Sequence, residues 1–369
     1  MATPAGISRR TDGRWNVKYL GKQTTCRSEA DAKRKLKEMK ATSRKQLLDV
    51  EKMTVAEVVE KWLQVKAAKL KPRSYDRLEQ TWNNQIKNYI GSMQFSALKS
   101  YDIEDMLVTL HKKGYSRSTI KKAYDFINDC CKYYHKKNEI SNNPAAYVEI
   151  PSGNEDQKRH MIFYTDKEIE TICATATKTY SNGKMVYPQG WAIVLLANTG
   201  MRFCELSGLT WSNVDIKSKT LSVKNTRVIV KNRDKDQTQK TKVIEQSSTK
   251  TESGQRNIPL NSKACLALEH LEQDSNGSKY VLITRDGRPL GQKSFDTTFR
   301  RILKASGIPD EKIYGVHALR HSFATNLIRN KVPTKVVSDL LGHSDITITL
   351  QTYIHTLQDD YADAVATLD

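Results

Sequence analysis

Residues 53–150 carry apolar positions at helical spacing. The segment "TVAEVVEKWLQVKAA" places Val55, Val58, Val59, Trp62 and Leu63 three or four positions apart or side by side, as one face of a helix requires. Three similar segments follow it, "KPRSYDRLEQTWNNQIKNYIG", "SALKSYDIEDMLVTLHKKG" and "SRSTIKKAYDFINDCCKYYHKKN". Each has an apolar stripe and a basic opposite side, so the pattern predicts an all-α domain of four helices over residues 53–150.

The head of the chain shows a different pattern. Short strand-like pieces lie around the turn signal "TDG" and around "LGK". The segment "SEADAKRKLKEMKA" then predicts a helix, with Ser28 as its N-cap and acidic residues in its first turn. We therefore predict a small β-sheet-plus-helix head over residues 1–45. Residues 41–52 are polar and predict a linker to the helical domain.

The third region, residues 163–369, mixes helical and strand patterns. The segment "TDKEIETICATA" predicts a capped helix, and "QGWAIVLLANTGMRFCELSGLTW" predicts a buried helix that is broken at "TG". Strands are predicted at "TLSV", "TRVIV", "TKVIEQ" and "RNIPL". Helices are predicted at "SKACLALEHLEQ", "SFDTTFRRILKAS", "VHALRHSFATNLIRN" and "PTKVVSDLLG". These elements predict a mixed, mainly helical α+β domain, so the whole chain is multidomain.

Composition limits the functional classes. The mean hydropathy is −0.62 and no apolar run reaches the length of a membrane span. The amino terminus lacks the apolar middle of a secretory signal, and six scattered cysteines predict reduced, buried thiols. Reduced thiols lead us to expect a cytoplasmic location. The net charge of +19 is densest in the first 50 residues and favours a polyanionic partner.

Several side chains suit phosphodiester chemistry. His317 and Arg320 are three residues apart in "HALRH" and share a helix face, and an arginine fork matches a phosphate. Arg202 follows a glycine, and Glu205 is placed to hold its guanidinium group, although a purely structural salt bridge explains that pair equally well. A zinc site at His317 and His321 is disfavoured because an arginine precedes the second histidine.

Four motifs in order then carry a resemblance. "TGMRFCELSGLTW", "SSTKTESGQRNIPL", "HALRHSFATNLI" and "LLGHSDITITLQTYIH" resemble the catalytic domain of the tyrosine recombinases, the lambda-type integrase family, over roughly residues 165–360. The helical region resembles the family's core-site DNA-binding domain. The basic head resembles the arm-site DNA-binding module of integrases from temperate phages and conjugative transposons.

The resemblance implies a role for each matching residue. Arg202 and Arg320 would clamp the scissile phosphate, and Glu205 would support the first arginine. His317 and His343 would hydrogen-bond the phosphate or assist proton transfer. The family's lysine lies in a hairpin turn, which points to Lys250 as the general acid, with Lys240 and Lys242 as open alternatives. The implied nucleophile is Tyr353, whose hydroxyl titrates near 10 and needs cationic neighbours to attack at neutral pH.

Two local questions concern the tyrosine. The stretch "ITITLQTY" is β-branched and alternates, so propensity favours a strand, whereas the resemblance implies a helix and "SD" at 344–345 suits an N-cap. We expect a helix. Tyr361 is a second tyrosine, but its neighbours are acidic and would repel a phosphate. The tail around Tyr361 is expected to dock on a neighbouring subunit, as the resemblance implies.

The resemblance also implies the partners and the reaction. It implies that four subunits bring together double-stranded core and arm attachment sites, cut through a 3′-phosphotyrosine and pass through a Holliday junction. It leaves room for an excision factor and a host DNA-bending protein, and it implies neither a cofactor nor a metal. A type IB topoisomerase and a DNA-binding protein without catalysis are the alternatives. Basic side chains expected at DNA phosphates are Arg9, Arg10, Arg14, Lys18, Lys69, Lys71, Arg73, Arg117, Lys121 and Lys122, the last six assigned to loops.

Overall fold

The chain forms two compact units, residues 1–158 and residues 159–369. The computed structural model describes residues 6–19, 22–151, 163–234, 239–247, 255–347 and 349–350. A small sheet near the amino terminus, a helical part and a mixed carboxyl-terminal unit confirm the predicted fold class. Over the described ranges, none of the helices is both long and apolar enough to cross a membrane.

A three-stranded antiparallel sheet and one helix make up the head. The strands β1 (Ile7–Arg9), β2 (Trp15–Tyr19) and β3 (Lys22–Cys26) pair in the order β1-β2-β3. Helix α1 (Glu29–Glu51) begins where the Ser28 hydroxyl accepts a hydrogen bond from the Asp31 backbone N–H, at 3.1 Å. Ile7 and Val17 of the sheet pack on α1 in a core of few residues, as the sequence predicts.

The predicted linker over residues 41–52 is wrong. Helix α1 continues without a break to Glu51, because the stretch contains neither glycine nor proline to end it. Val50 near its end is buried in the core of the helical part. The polar composition that suggested a linker belongs instead to the second half of a helix.

Four helical stretches form the second part of this unit, as predicted. Helix α2 begins with a capping box, in which Thr54 and Glu57 satisfy each other's backbone N–H groups. The second stretch consists of α3, a π-helical turn at Trp82–Ile86 and α4. In the core, the Phe126 ring stacks on Trp82 and meets Trp62 edge to face. The bounds are α2 (Val55–Ala67), α3 (Pro72–Thr81), α4 (Lys87–Ile90), α5 (Ser100–Lys112) and α6 (Arg117–Lys136).

The carboxyl-terminal unit surrounds a buried helix with further helices and two small sheets. Strands β4, β5 and β8 form one antiparallel sheet, and β6 and β7 form a separate hairpin. The strands and helices predicted between residues 165 and 342 are confirmed. The helices are α7 (Asp166–Ala176), α8 (Gly190–Thr199), α9 (Phe203–Gly208), α10 (Ser262–Gln273), α11 (Gln292–Ala305), α12 (His317–Arg329) and α13 (Thr334–Leu341). The strands are β4 (Val214–Asp215), β5 (Thr220–Val223), β6 (Asn225–Lys231), β7 (Thr241–Ser247) and β8 (Arg256–Pro259).

Gly200 ends the buried helix α8 in a left-handed turn. Its φ is 62°, and its N–H donates to the Leu196 carbonyl, as in a common helix ending. A Cβ atom here would lie 2.5 Å from the ring of Phe323 on α12. The end of α8 therefore packs closely against α12. The left-handed turn at Gly200 redirects the chain towards α9.

Replacing Gly200 by alanine tests this junction. Gly200→Ala places a side chain in the left-handed region, at ~1–2 kcal/mol, and overpacks the site against Phe323, at another ~1–3 kcal/mol. Gly287→Ala is the matched control, because Gly287 has a φ of +70° but no atom within 4 Å of an added Cβ. Denaturant unfolding should show the larger loss for Gly200→Ala, and equal losses would contradict the close contact.

Candidate active site

Arg202 and Glu205 form the first part of the site. Arg202 lies directly before α9, and its backbone N–H donates to Glu205 Oε2 at 2.9 Å. Its guanidinium Nη1 donates to Glu205 Oε1 at 2.8 Å. The Arg202 side chain is 36% exposed, whereas that of Glu205 is 4% exposed. The carboxylate therefore holds the guanidinium group of a side chain that is partly accessible to solvent.

Arg256 on β8 is a site residue that the sequence reasoning missed. Its Nη2 and Nη1 donate to the two oxygens of Glu205 at 2.8 and 3.3 Å, and its Nε donates to the Leu340 carbonyl at 2.6 Å. The side chain is 6% exposed. A signal was available, since Arg256 lies two residues before the buried Ile258 and therefore on the same face of β8, and a buried arginine needs a partner.

Arg320 connects two helix ends. Its side chain is buried in α12. Its Nη1 donates to the Gly200 carbonyl at 2.9 Å, and its Nη2 donates to the Leu341 carbonyl at 2.6 Å. Because Arg202 lies two residues beyond Gly200, this contact brings both predicted arginines to the end of α8.

Asp296 fixes the start of α12. Its Oδ1 accepts a hydrogen bond from the Val316 N–H at 2.7 Å, immediately before His317, the first residue of the helix. This carboxylate therefore orients the turn of α12 that carries His317 and Arg320. His317 and His321 meet edge to face with ring centroids 4.7 Å apart.

His343 follows α13 after a left-handed glycine, Gly342, whose φ is 64°. Its Nδ1 shares a hydrogen bond with the hydroxyl of the buried Thr349 at 2.7 Å. Residues 346–347 and 349–350 are helical, and the Asp345 carboxylate accepts from the Thr347 N–H at 2.8 Å. Over these residues the helix expectation is confirmed against the strand propensity.

Three predicted residues cannot be placed. Lys250, Tyr353 and Tyr361 lie outside the described residues. Of the alternatives to Lys250, Lys242 lies on β7 and forms an ion pair with Asp234 at 2.9 Å. Lys240 directly precedes β7 in the connection from β6.

The described part of the site carries an excess of positive charge. Three guanidinium groups, those of Arg202, Arg256 and Arg320, act on the buried carboxylate of Glu205. Burial alone would raise the pKa of Glu205, but hydrogen bonds and charge from Arg256, with Arg202 and Arg320, hold it at about 2. The carboxylate is therefore ionised at any physiological pH, and the surplus of positive charge suits an anion such as a phosphate.

The neighbouring histidines are uncharged at neutral pH. Burial, followed by the positive charge of Arg320 and Arg202, lowers the pKa of His343 to about 4. Burial and then His317 and Arg320 lower the pKa of His321 to about 4, and the pKa of His317 is lowered by burial and the same two arginines as at His343. A neutral imidazole has one N–H donor and one acceptor, so each ring can take part in proton transfer.

The predicted phosphate-contacting residues are all exposed. Arg9, Arg10, Arg14 and Lys18 lie on β1, β2 and the turn between them. The assignment of the helical group to loops is wrong for most of its members, because α3 begins at Pro72 and α6 at Arg117. The group comprises Lys69 and Lys71 before α3, Arg73 in its first turn, and Arg117, Lys121 and Lys122 in the first turns of α6.

Metal ligation is not supported by the part of the chain that the structure describes. Within it, no three histidine, cysteine or acidic side chains come together as a metal site would require. All six cysteines lie within the described ranges, and none of them forms a disulfide. Three of them, Cys26, Cys173 and Cys204, are half-buried rather than buried as expected.

Two family models match the chain. Residues 163–359, more than half of its length, match the "Phage integrase family", and residues 54–111 match the "Phage integrase, N-terminal SAM-like domain". A "Tyrosine recombinase XerC-like" protein of Caldanaerobacter subterraneus subsp. tengcongensis is 28% identical over 373 residues, 96% of this chain and 93% of that protein. The transposase from transposon Tn916 of Enterococcus faecalis is 24% identical, over 74% of this chain and 67% of that protein.

Solved structures share the fold. The Tn1549 transposon integrase, in complex with circular intermediate DNA, aligns with a TM-score of 0.66 at 23% identity, covering 86% of this chain and 100% of that chain. A lambda integrase tetramer bound to a Holliday junction aligns with a TM-score of 0.60 at 16% identity, covering 95% of each chain. At these identities the likeness extends to the multidomain architecture of the chain.

The lowered histidine pKa values predict a loss of stability in mild acid. An unfolded histidine takes up its proton near pH 6.5, whereas folded His321 and His343 take it up only near pH 4. Between these pH values the unfolded state binds more protons, so the free energy of unfolding falls as the pH falls from about 6.5 to about 4. Urea unfolding at stepped pH should show this slope, and His321→Gln should reduce it by about one proton. An unchanged slope would contradict the burial of His321.

Proposed function

Because the chain belongs to the phage integrase family, we propose that it is a tyrosine recombinase that integrates or excises a mobile element at specific DNA sites. The observation that supports this function best is the site at the ends of α8 and α13. There Arg202, Arg256 and Arg320 act on the buried carboxylate of Glu205 and leave an excess of positive charge. Such a site stabilises the charge that builds up on a phosphate during attack.

Each site residue has a proposed role in DNA cleavage. The Tyr353 oxygen attacks the scissile phosphorus and forms a 3′-phosphotyrosine, while the bond to the 5′ oxygen breaks. Lys250 gives a proton to that leaving oxygen. Arg202 and Arg320 hold the two non-bridging oxygens, and His317 and His343 hydrogen-bond them or carry the tyrosine's proton. Glu205 supports Arg202.

The reaction balances without an external energy source. Attack exchanges one phosphate ester for another, so the energy of the cleaved bond is kept in the phosphotyrosine. The free 5′ hydroxyl of a second strand then attacks this link and restores the tyrosine. Two such exchanges on paired sites form and resolve a Holliday junction, which requires four copies of the chain on two DNA segments.

The domains have separate proposed contacts with DNA. Residues 163–369 carry the chemistry, residues 53–150 bind the core site, and residues 1–45 bind an arm site. The separate small core of the head and the larger core of the helical part support this division. An excision factor and a host DNA-bending protein are proposed partners of the assembly, and the proposed location is the bacterial cytoplasm at the nucleoid.

Substitution of Tyr353 tests the proposed nucleophile. A nicked duplex that spans the element's junction should trap wild-type protein as a covalent adduct on a denaturing gel, because the cleaved fragment diffuses away. Tyr353→Phe should abolish the adduct, since phenylalanine has no nucleophilic oxygen. Arg202→Gln should lower the rate of adduct formation by ~10²-fold or more, by removing a donor to the charged phosphate.

The control for this experiment is Tyr361→Phe, which removes the nearby tyrosine and should leave the adduct intact. Adduct formation by Tyr353→Phe would assign the attack to another residue. If the wild-type protein forms no adduct, the result would favour the alternative of a DNA-binding protein without catalysis. Relaxation of plasmids that lack the junction sequence would favour a topoisomerase.

Charge removal in the helical part tests the proposed phosphate contacts. Lys122→Gln should weaken binding to core-site DNA regardless of sequence and reduce the slope of log affinity against log salt by about 1. Lys263→Gln removes the same charge from an exposed lysine on α10, paired with Glu170, and should leave the slope unchanged. Equal effects of the two variants would show that net charge alone, and not a contact at Lys122, governs binding.

A further inference from the structure

We propose that Arg256 is a positioning residue of the recombination reaction, which fixes Glu205 against Arg202 and ties that pair to the turn that presents His343. This inference rests on the proposed function. It assigns Arg256 no contact with DNA, because its side chain is 6% exposed. Any influence of Arg256 on the reaction therefore passes through the groups that it holds.

All three guanidinium nitrogens of Arg256 donate to internal acceptors. Two of them form a fork on the Glu205 carboxylate, and Nε donates to the Leu340 carbonyl. A bidentate pair fixes both distance and angle, which a single contact does not. Because Glu205 in turn holds the Arg202 side chain and backbone N–H, the orientation of Arg202 depends on the fork.

The contact with Leu340 extends this control to His343. Leu340 lies in the last turn of α13, and the next carbonyl, that of Leu341, accepts from Arg320. Two buried guanidinium groups thus hold successive carbonyls at the end of the helix. Only Gly342 separates this anchored turn from His343, so a shift of the helix end would displace the imidazole. A misplacement of about 1 Å can cost ~10²-fold in rate.

Arg256 also controls the charge of Glu205. Burial alone would raise the pKa of this carboxyl, and Arg256 is the strongest of the groups that lower it. Without Arg256, Arg202 would remain as the direct ionic partner of a buried carboxylate. We expect Glu205 then to take up a proton at higher pH and to release Arg202 when it does. Arg256 therefore keeps Glu205 ionised below pH 7, so that Glu205 continues to hold Arg202 there.

A purely structural salt bridge makes a different prediction. Loss of a structural arginine would lower stability and would reduce cleavage by the same factor at every pH. Loss of a positioning arginine acts through Glu205, so the reduction should deepen as the pH falls. The pH dependence of cleavage separates these two cases.

The test uses full-length Arg256→Met and single-turnover adduct formation on the nicked junction duplex between pH 5 and pH 8. At neutral pH we expect a rate at least ~10-fold below wild type, with the affinity for uncleaved DNA within about twofold. Towards pH 5 the rate should fall further, relative to wild type. Glu205→Gln in the Arg256→Met background should remove this additional fall, because residue 205 then no longer titrates.

Arg227→Met is the matched control. Arg227 is also buried, in the same unit, where it donates to Ser207 and to the Leu282 carbonyl. Its loss should lower stability without changing the shape of the pH profile. Arg256→Lys, which keeps the charge and loses the fork, should lower the neutral rate without the additional fall in acid. This variant also serves if Arg256→Met does not fold.

A readout without DNA separates this proposal from the proposed function. The ¹³C resonance of the Glu205 carboxyl should not titrate between pH 4 and pH 7 in the wild type and should titrate in Arg256→Met, whether or not the protein cuts DNA. If it does not titrate in the variant, or if Arg256→Met and Arg227→Met give pH profiles of the same shape, Arg256 is only structural. If the carboxyl behaves as expected but wild type forms no adduct, the recombinase function is wrong.

Discussion

The buried carboxylate of Glu205, gripped by Arg256 and Arg202, is the interaction on which the carboxyl-terminal unit depends. An isolated charge costs several kcal/mol to bury, so neither Glu205 nor Arg256 would be stable in this core alone. The fork between them satisfies both carboxylate oxygens. It also joins β8 to α9, because Arg256 and Glu205 are 51 positions apart in the chain. The fork thereby fixes the position of the elements that carry the other cations.

Two of the three arginines, Arg256 and Arg320, donate to carbonyls at helix carboxyl ends, which offsets part of the surplus of positive charge. The Gly200 carbonyl ends α8, and the carbonyls of Leu340 and Leu341 end α13. Unsatisfied carbonyls at these ends carry partial negative charge and accept from Arg256 and Arg320. Left-handed glycines follow at both ends, so each chain can turn sharply and leave its carbonyls pointing at the guanidinium groups. The site is thus assembled from helix termini.

The sequence predicted the elements of this unit and the local part of the site, whereas the contacts between distant elements needed the structure. Arg202 and Glu205 are three residues apart, and helical spacing reveals such a pair. The partner of Glu205 lies on a separate strand, and no local pattern connects Arg256 to it. The predicted linker at the end of α1 has the same origin. Val50 is buried by residues of the helical part, and no local pattern in α1 reveals those contacts. In "ITITLQTY", β-branched propensity was outweighed by the Asp345 cap and by the buried contact between Thr349 and His343.

The site combines arginines, which are always charged, with histidines, whose charge depends on the pH and on their neighbours. The guanidinium groups are charged at every accessible pH, and they are held in place before a ligand arrives. The same charges, together with burial, keep His343 neutral. A bound phosphate would offset the positive charge that faces the imidazole, so we expect its pKa to rise when DNA is present. As long as no anion is bound, the fixed arginines repel a further proton from the imidazole.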